Sequence, residues 1–279
     1  MRERLGSLRI GQREFAWSKR TYLMGVINVS PESFAGDGLG DVEAAVALGR
    51  RFADDGADIL DVGGQSTRPG FDELAPEEEI RRVVPVIERL VREVDLPISV
   101  DSYKPAVARA ALEAGAHLLN DIWGFRCDAS LAKLAVEFGV PAVVMHNQRG
   151  REFHDVIADI RAGFEASIAI AEKAGLPRER LILDPGFGFG WSEEQNLELL
   201  RRLGELRDLG LPLLIGTSRK STIGAVLGGV PVQERLLGTA ATTALAIAAG
   251  VDIVRVHDVA EQRQVLAVAD AVVRGPPAT

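Results

Sequence analysis

Residues 98–121 read ISVDSYKPAVARAALEAGAHLLND. An apolar run, Ile98-Ser99-Val100, ends on Asp101. Pro105, just behind Lys104, opens a stretch whose apolar residues recur at three- and four-residue spacing, and Gly115 stands just past it. Proline at the first helical position and glycine beyond the last are helix start and stop signals. A second apolar run, Leu118-Leu119, then ends on Asn120-Asp121. The stretch is a strand–helix–strand unit, and it predicts a helix over 104–114 between two buried strands.

The unit recurs along the chain. Met24-Gly25-Val26-Ile27-Asn28, Ile59-Leu60-Asp61-Val62-Gly63-Gly64, Val143-Val144-Met145-His146, Leu181-Ile182-Leu183-Asp184-Pro185-Gly186 and Ile253-Val254-Arg255-Val256-His257 are apolar runs that end in polar or charged residues. Another run, Leu213-Leu214-Ile215-Gly216, leads into Thr217-Ser218-Arg219-Lys220-Ser221, where a helix is expected to open. Further helices are expected near 41–55, 76–94, 129–138, 155–174, 193–208, 232–249 and 258–273. Short apolar strands separated by helices imply a parallel sheet buried on both faces. The expected fold is therefore α/β, a (β/α)8 TIM barrel whose strand ends converge on one mouth. A doubly wound open sheet is the rival, but it would bind at one switch point and not use nearly every strand end. Residues 8–17 read as a short extended pair turning near Gly11-Gln12. This predicts an N-terminal β-hairpin, within an extension over 1–20, that caps the barrel bottom.

No linker or compositional break divides the 279 residues, and 47% of them are hydrophobic, so a single domain over 1–279 with one large core is expected. The net charge of -8 disfavours a general nucleic-acid binder, although a few converging cations can still hold an anion. Cys127 is the only cysteine, which excludes an intrachain disulfide and a cysteine-rich zinc site. The four histidines, 117, 146, 154 and 257, lack zinc-ligand spacing. No apolar stretch of about 18 residues suggests a membrane span, and no apolar signal core is present, so a cytoplasmic protein is expected.

Chemistry concentrates at the strand ends. Asp101, Asn120 and Asp184 suit a planar, nitrogen-rich ring: a carboxylate accepts two parallel N–H bonds, and an amide can read a mixed edge. Each could instead cap the helix that follows it. Arg255 and His257 share one face of a strand, because side chains alternate with period two, and together they resemble an anion clamp. Asn28, on the neighbouring first strand, could place a carbonyl oxygen on Mg²⁺. Lys220 can donate to a ring carbonyl or nitrogen. Ser66-Thr67-Arg68-Pro69-Gly70 and Ser30–Gly38 read as polar loops able to close over a water-sensitive step. Asp184-Pro185-Gly186-Phe187-Gly188-Phe189-Gly190 is not the dinucleotide fingerprint, and reads as a tight loop with aromatic surface beside the ring.

From Met24 to Asp258 the ordered motifs MGVINVSPESF, DVGGQSTRPG, SVDSYK, LNDI, MHNQRG, DPGFGFG, GTSRKS and RVHDV resemble the dihydropteroate synthase family. The resemblance implies a transferase of folate biosynthesis. Such an enzyme joins 6-hydroxymethyl-7,8-dihydropterin diphosphate to 4-aminobenzoate by SN1-like substitution, releasing pyrophosphate. It implies that Asp101, Asn120, Asp184 and Lys220 hold the pterin. It also implies that Asn28, Arg255 and His257 hold pyrophosphate and Mg²⁺, with Arg68 helping, and that Thr67, Pro69, Phe189 and Ser221 border the aminobenzoate. Asp101, Lys220, Arg255 and His257 are then the catalytic set. A homodimer formed through late helices is implied too, with the small-residue stretch 238–250 compatible. The chain departs from the family's usual pattern at Glu32, at Ala35-Gly36-Asp37 and at Trp191. Two rival readings remain: a methyltetrahydrofolate-corrinoid methyltransferase, for which GTSRKS and RVHDV have no obvious use, and a non-catalytic pterin-binding paralogue.

Overall fold

The computed structural model describes residues 5–30, 41–65 and 73–275. Eight parallel strands form one sheet: β3 (Tyr22–Asn28), β4 (Ile59–Gly63), β5 (Ile98–Asp101), β6 (Leu118–Asp121), β7 (Ala142–Met145), β8 (Leu181–Asp184), β9 (Leu214–Ile215) and β10 (Ile253–Val256). Their order is β8-β7-β6-β5-β4-β3-β10-β9, and a parallel bridge from Leu183 to Leu213 joins the two edges. The sheet is thus a nearly closed barrel.

The connecting helices are α1 (Val42–Asp54), α2 (Pro76–Glu93), α3 (Pro105–Glu113), α4 (Ser130–Glu137), α5 (Val156–Ala174) and α6 (Glu193–Arg202). Two helices, α7 (Ser221–Val226) and α8 (Leu236–Ala248), lie between β9 and β10, and α9 (Val259–Arg274) ends the chain's described part. Local signals set their starts. Asp155 accepts from the amides of Ile157 and Ala158 at the head of α5, and Ser192 with Gln195 forms a reciprocal capping box on α6. Val83, Val86, Ile87 and Leu90 of α2 are wholly buried at three- and four-residue spacing against the sheet.

Two helical expectations need adjustment. The helix read over 193–208 is α-helical only to Arg202 and continues as a 3-10 segment, Leu203–Leu209. The helix read over 232–249 is a 3-10 turn, Val232–Glu234, followed by α8. In both, apolar spacing alone does not separate the two helical pitches.

β1 (Ser7–Ile10) and β2 (Arg13–Ala16) form the expected antiparallel hairpin. Its Leu8, Ile10 and Phe15, with Trp17, join one apolar cluster with Met24, Ile59, Leu118, Val143, Ile182, Leu214 and Ile253. Those seven residues lie at or near the N-terminal ends of seven barrel strands, so the hairpin plugs the bottom. Buried Asp252 fastens this end, accepting from Arg207 (2.5 Å) and from the amides of Leu213 (3.0 Å) and Ser18 (3.1 Å). With the bottom filled by apolar side chains, the mouth is where polar strand ends meet.

Candidate active site

Strand alternation decides what faces the barrel axis. The plug residues Ile59, Leu118, Ile182 and Ile253 point inward. Two positions further along the same strands stand Asp61, Asn120, Asp184 and Arg255, and His257 follows two beyond Arg255. The result is a cavity of about 320 Å³ at the mouth. It is lined by Asn28, Asp101, Asn120, Asp184, Phe189, Lys220, Ser221, Arg255 and His257, so nine sequence-predicted residues share one site. The other three, Thr67, Arg68 and Pro69, lie outside the described residues, as do Glu32 and Ala35-Gly36-Asp37.

The site is held by charge. Arg255 donates from Nε to Asp61 Oδ2 (2.6 Å) and from its NH2 nitrogen to Asp101 Oδ2 (2.6 Å). Asn120 Nδ2 donates to the same Asp61 oxygen (2.9 Å). Arg255 therefore does not stand as a simple anion fork; two of its donors tie the Asp61 and Asp101 carboxylates together. Asp61 is fully buried, and its Oδ1 has no hydrogen-bond partner among the described residues. Burial raises the Asp101 carboxyl, Arg255 pulls it back, and Asp61 pushes it further up. Burial likewise lifts Asp184 to about 6, against the pull of its bond from the Gly186 amide. It lowers Lys220 to about 8. For Arg255 burial acts downward, but Asp61 and Asp101 outweigh it and the guanidinium stays charged.

Two loops fix the remaining groups. After β8, Asp184 Oδ1 accepts from Gly186 N (2.8 Å). Gly186 sits at φ +75°, and a Cβ there would lie 1.9 Å from the His146 carbonyl, so only glycine lets these two loops touch. Phe189, from this loop, lies 4.1 Å beneath the Lys220 ammonium. After β9, Arg219 adopts φ +58°, a conformation that costs a side-chain-bearing residue about 1–3 kcal/mol. Among the contacts that hold it there, its amide donates to Thr239 Oγ1 (3.1 Å), its carbonyl accepts from Arg235 (3.0 Å) and its guanidinium pairs with Asp258. The turn sends Lys220 into the cavity and brings Ser218 Oγ within 2.9 Å of His257 Nδ1. Trp191, where the family pattern differs, is buried against the His146 ring (5.5 Å between centroids) and meets Phe153 edge-on. The departure is absorbed as packing behind the loop.

Sequence reading missed Asp61, Arg149, Ser218 and Arg235 as site residues. Asp61 carried a usable signal, since it shares the inward parity of Ile59. Arg149 lies on a loop, where no period indicates direction.

A parallel barrel plugged at one end, with carboxylates, an amide and a lysine around one cavity at the other, is the architecture of a barrel enzyme with a polar ligand site. The family described as pterin binding enzyme matches residues 24–257. The chain is 47% identical over 269 residues to the dihydropteroate synthase of Clostridium beijerinckii, covering 96% of this chain and 100% of that protein. To the Bacillus subtilis enzyme it is 44% identical, covering 92% and 90%. A crystal structure of dihydropteroate synthase from Clostridium difficile in the presence of pteroic acid superposes with a TM-score of 0.89 at 47% identity, covering 93% and 99%. The Xanthomonas albilineans enzyme in complex with 7,8-dihydropteroate superposes with a TM-score of 0.85 at 41% identity, covering 95% and 98%. The chain belongs to the dihydropteroate synthase family of transferases.

Proposed function

We propose that this enzyme joins 6-hydroxymethyl-7,8-dihydropterin diphosphate to 4-aminobenzoate, giving 7,8-dihydropteroate and pyrophosphate in folate biosynthesis. The observation that carries the reading is the convergence of Asp101, Asn120 and Asp184, from three strand ends, and Lys220, from the turn after β9, on one cavity that also holds Arg255 and His257. In this reading the Asp184 and Asp101 carboxylates accept N–H bonds from the ring's amino-imine edge. Asn120 reads a mixed edge, and Lys220 donates to a ring carbonyl or nitrogen. The diphosphate lies at the seam of β3 and β10, where Arg255 and His257 neutralise its charge and Asn28 stands beside them, with Arg68 contributing from its loop.

The reaction follows from that placement. The bond from the pterin methylene to the diphosphate oxygen breaks, and its electron pair leaves with pyrophosphate. The ring delocalises the positive charge left on the methylene. The aminobenzoate nitrogen, neutral at physiological pH, attacks with its lone pair and then loses a proton to solvent. Thr67, Pro69, Phe189 and Ser221 border the aminobenzoate and limit water at the cation. No group of three or more His, Cys, Asp or Glu able to hold a metal occurs among the described residues. Asn28 lines the cavity with an amide oxygen, a hard donor suited to a Mg²⁺ carried chiefly by diphosphate oxygens and water, and is the protein ligand in this reading. Bound there, the ion would spread the leaving group's negative charge.

The enzyme is proposed to act as a cytoplasmic homodimer without nucleic acid or membrane partners; no helix among the described residues is long and apolar enough to cross a membrane. The dimer reading rests on α8, which exposes Leu237 (81%) and Leu245 (61%), and on exposed Val226, Val268 and Val272 of its neighbours α7 and α9. The decisive experiment is a pyrophosphate-release assay with both substrates, repeated without aminobenzoate and without Mg²⁺. Release that needs both substrates is expected. Tight pterin binding with no release would overturn the catalytic reading.

A further inference from the structure

Arg149, in the loop after β7, lines the mouth cavity but takes no part in the hydrogen-bond networks described above. The other two arginines of the lining have fixed partners: Arg255 holds Asp61 and Asp101, and Arg235 holds the Val230 and Arg219 carbonyls. Among the described residues the Arg149 guanidinium makes no hydrogen bond or ion pair. Its carbon instead lies 4.8 Å from the centre of the Phe189 ring. Its half-buried charge is opposed by desolvation alone, with no carboxylate offsetting it.

The placement is firm. Gln148 N donates to the Phe189 carbonyl (3.0 Å), and Arg149 N donates to Asn147 Oδ1 (3.2 Å). A Cβ on Gly190 would lie 2.4 Å from Arg149 N, so the two loops are in direct contact. A guanidinium held against an aromatic face keeps its N–H edge available for a planar acceptor, which a carboxylate matches with two parallel bonds. The position in the barrel selects which anion. By strand order β7 is separated from the β3–β10 seam by β8 and β9 on one side and by β6, β5 and β4 on the other. The diphosphate's cations are therefore across the mouth. The second substrate is also an anion, through its carboxylate, and Phe189 borders its ring in the proposed site.

We propose that Arg149 is a specificity-determining residue that recognises the carboxylate of the aromatic amine substrate. The inference rests on the function proposed above, and its test separates the two. Pyrophosphate release is measured in wild type, R149Q and R149K with 4-aminobenzoate and with the neutral 4-aminobenzamide. R149Q should raise the 4-aminobenzoate KM by roughly 10- to 100-fold, the loss of a charge-assisted pair. The pterin diphosphate KM should stay within about threefold, and the wild-type preference for the acid over the amide should collapse. R149K should fall between the two. A selective rise in the pterin diphosphate KM, or equal losses with acid and amide, would overturn the assignment. Calorimetric binding of both anilines to wild type and R149Q in the presence of pyrophosphate tests Arg149 without turnover. A wild-type preference for the acid that R149Q abolishes supports the role even if no pyrophosphate is ever released. An unchanged preference ends it even in an active enzyme.

Discussion

Asp61→Asn separates a positioning carboxylate from a passive one. Asp61 Oδ2 accepts two bonds at once, from Arg255 Nε at 2.6 Å and Asn120 Nδ2 at 2.9 Å, at full burial. An amide of the same shape can turn its oxygen toward both donors, so the packing survives. What goes is the charge. Replacing a charge-assisted bond by a neutral one costs about 1 kcal/mol, and burying the new NH2 where Oδ1 had no partner adds a similar amount. Relief of the buried carboxylate offsets part of this in folding, but not in ring binding, because the acceptor that Asn120 and Arg255 share is then neutral and holds them less firmly. The expected fall in kcat/KM for the pterin diphosphate is roughly 10- to 100-fold, with the melting temperature little changed. A second readout has its own sign. Asp61 is one of the groups that hold the Asp101 carboxyl high, and Arg255 one that holds it down. Removing Asp61's charge while freeing Arg255 for Asp101 must lower the Asp101 pKa. The carboxylate then persists to lower pH, and the acid limb of the kcat/KM profile moves down. A purely structural Asp61 would leave that limb in place. Steady-state pyrophosphate release across pH, in wild type and D61N, measures both. A kcat/KM within twofold of wild type, or an acid limb displaced upward, would refute the reasoning.

The pH profile of the wild-type enzyme should be bell-shaped. Activity falls as pH drops through about 7 and then about 6, where Asp101 and then Asp184 take up protons and stop accepting ring N–H bonds, and above about 8 as Lys220 loses one and stops donating; a flat alkaline limb in wild type would count against the Lys220 role. Lys220→Ala should weaken pterin use with little loss of fold, because its ammonium makes no core contact; unchanged kinetics would remove it from the site. Asp184→Asn should make the ligand-free protein more stable at neutral pH. A carboxyl raised from 3.8 to about 6 favours the folded state when protonated, and that stability is lost as pH rises through 6, to the extent of about 2–3 kcal/mol. Thermal melts of D184N and wild type should differ most at pH 8, by about half as much at pH 5, and converge only as the pH approaches 3.8. Lys104→Met should destabilise by about 3–5 kcal/mol in urea, because it strands buried Glu79, its partner at 2.8 Å; the double variant K104M/E79Q should recover much of that loss.

The fold was legible because the barrel repeats one physical unit. Each buried strand had to be apolar through its length, and each strand end had to meet water or ligand, so Asp101, Asn120, Asp184 and His257 marked their own positions. The hairpin was legible for a related reason: Leu8, Ile10 and Phe15 have no use unless something apolar receives them, and the bottom of a filled barrel does. Strand β9 was the least legible. It spans only Leu214–Ile215, since one bridge to β8 and its pairing with β10 close the barrel there. Helical pitch after Arg202 was not legible, because 3-10 and α segments bury similar apolar spacings.

Asp61 marks the limit of reading strand ends one at a time. It sits in the middle of an apolar run, where a lone acid reads as an exception, and its meaning comes from three other strands: Arg255 from β10, Asn120 from β6 and, through Arg255, Asp101 from β5. A buried acid is tolerable only where cations and amide donors converge on it. In this barrel that requirement and the proposed ring recognition have the same solution. The charge that keeps Asp61 inside is the charge that orients Asn120 and Arg255 toward the cavity. Site residues that point along a strand are therefore recoverable from parity once the plug layer is known. Arg149 is not, because its direction depends on contact between two loops, and that contact exists only because Gly186 and Gly190 leave room for it.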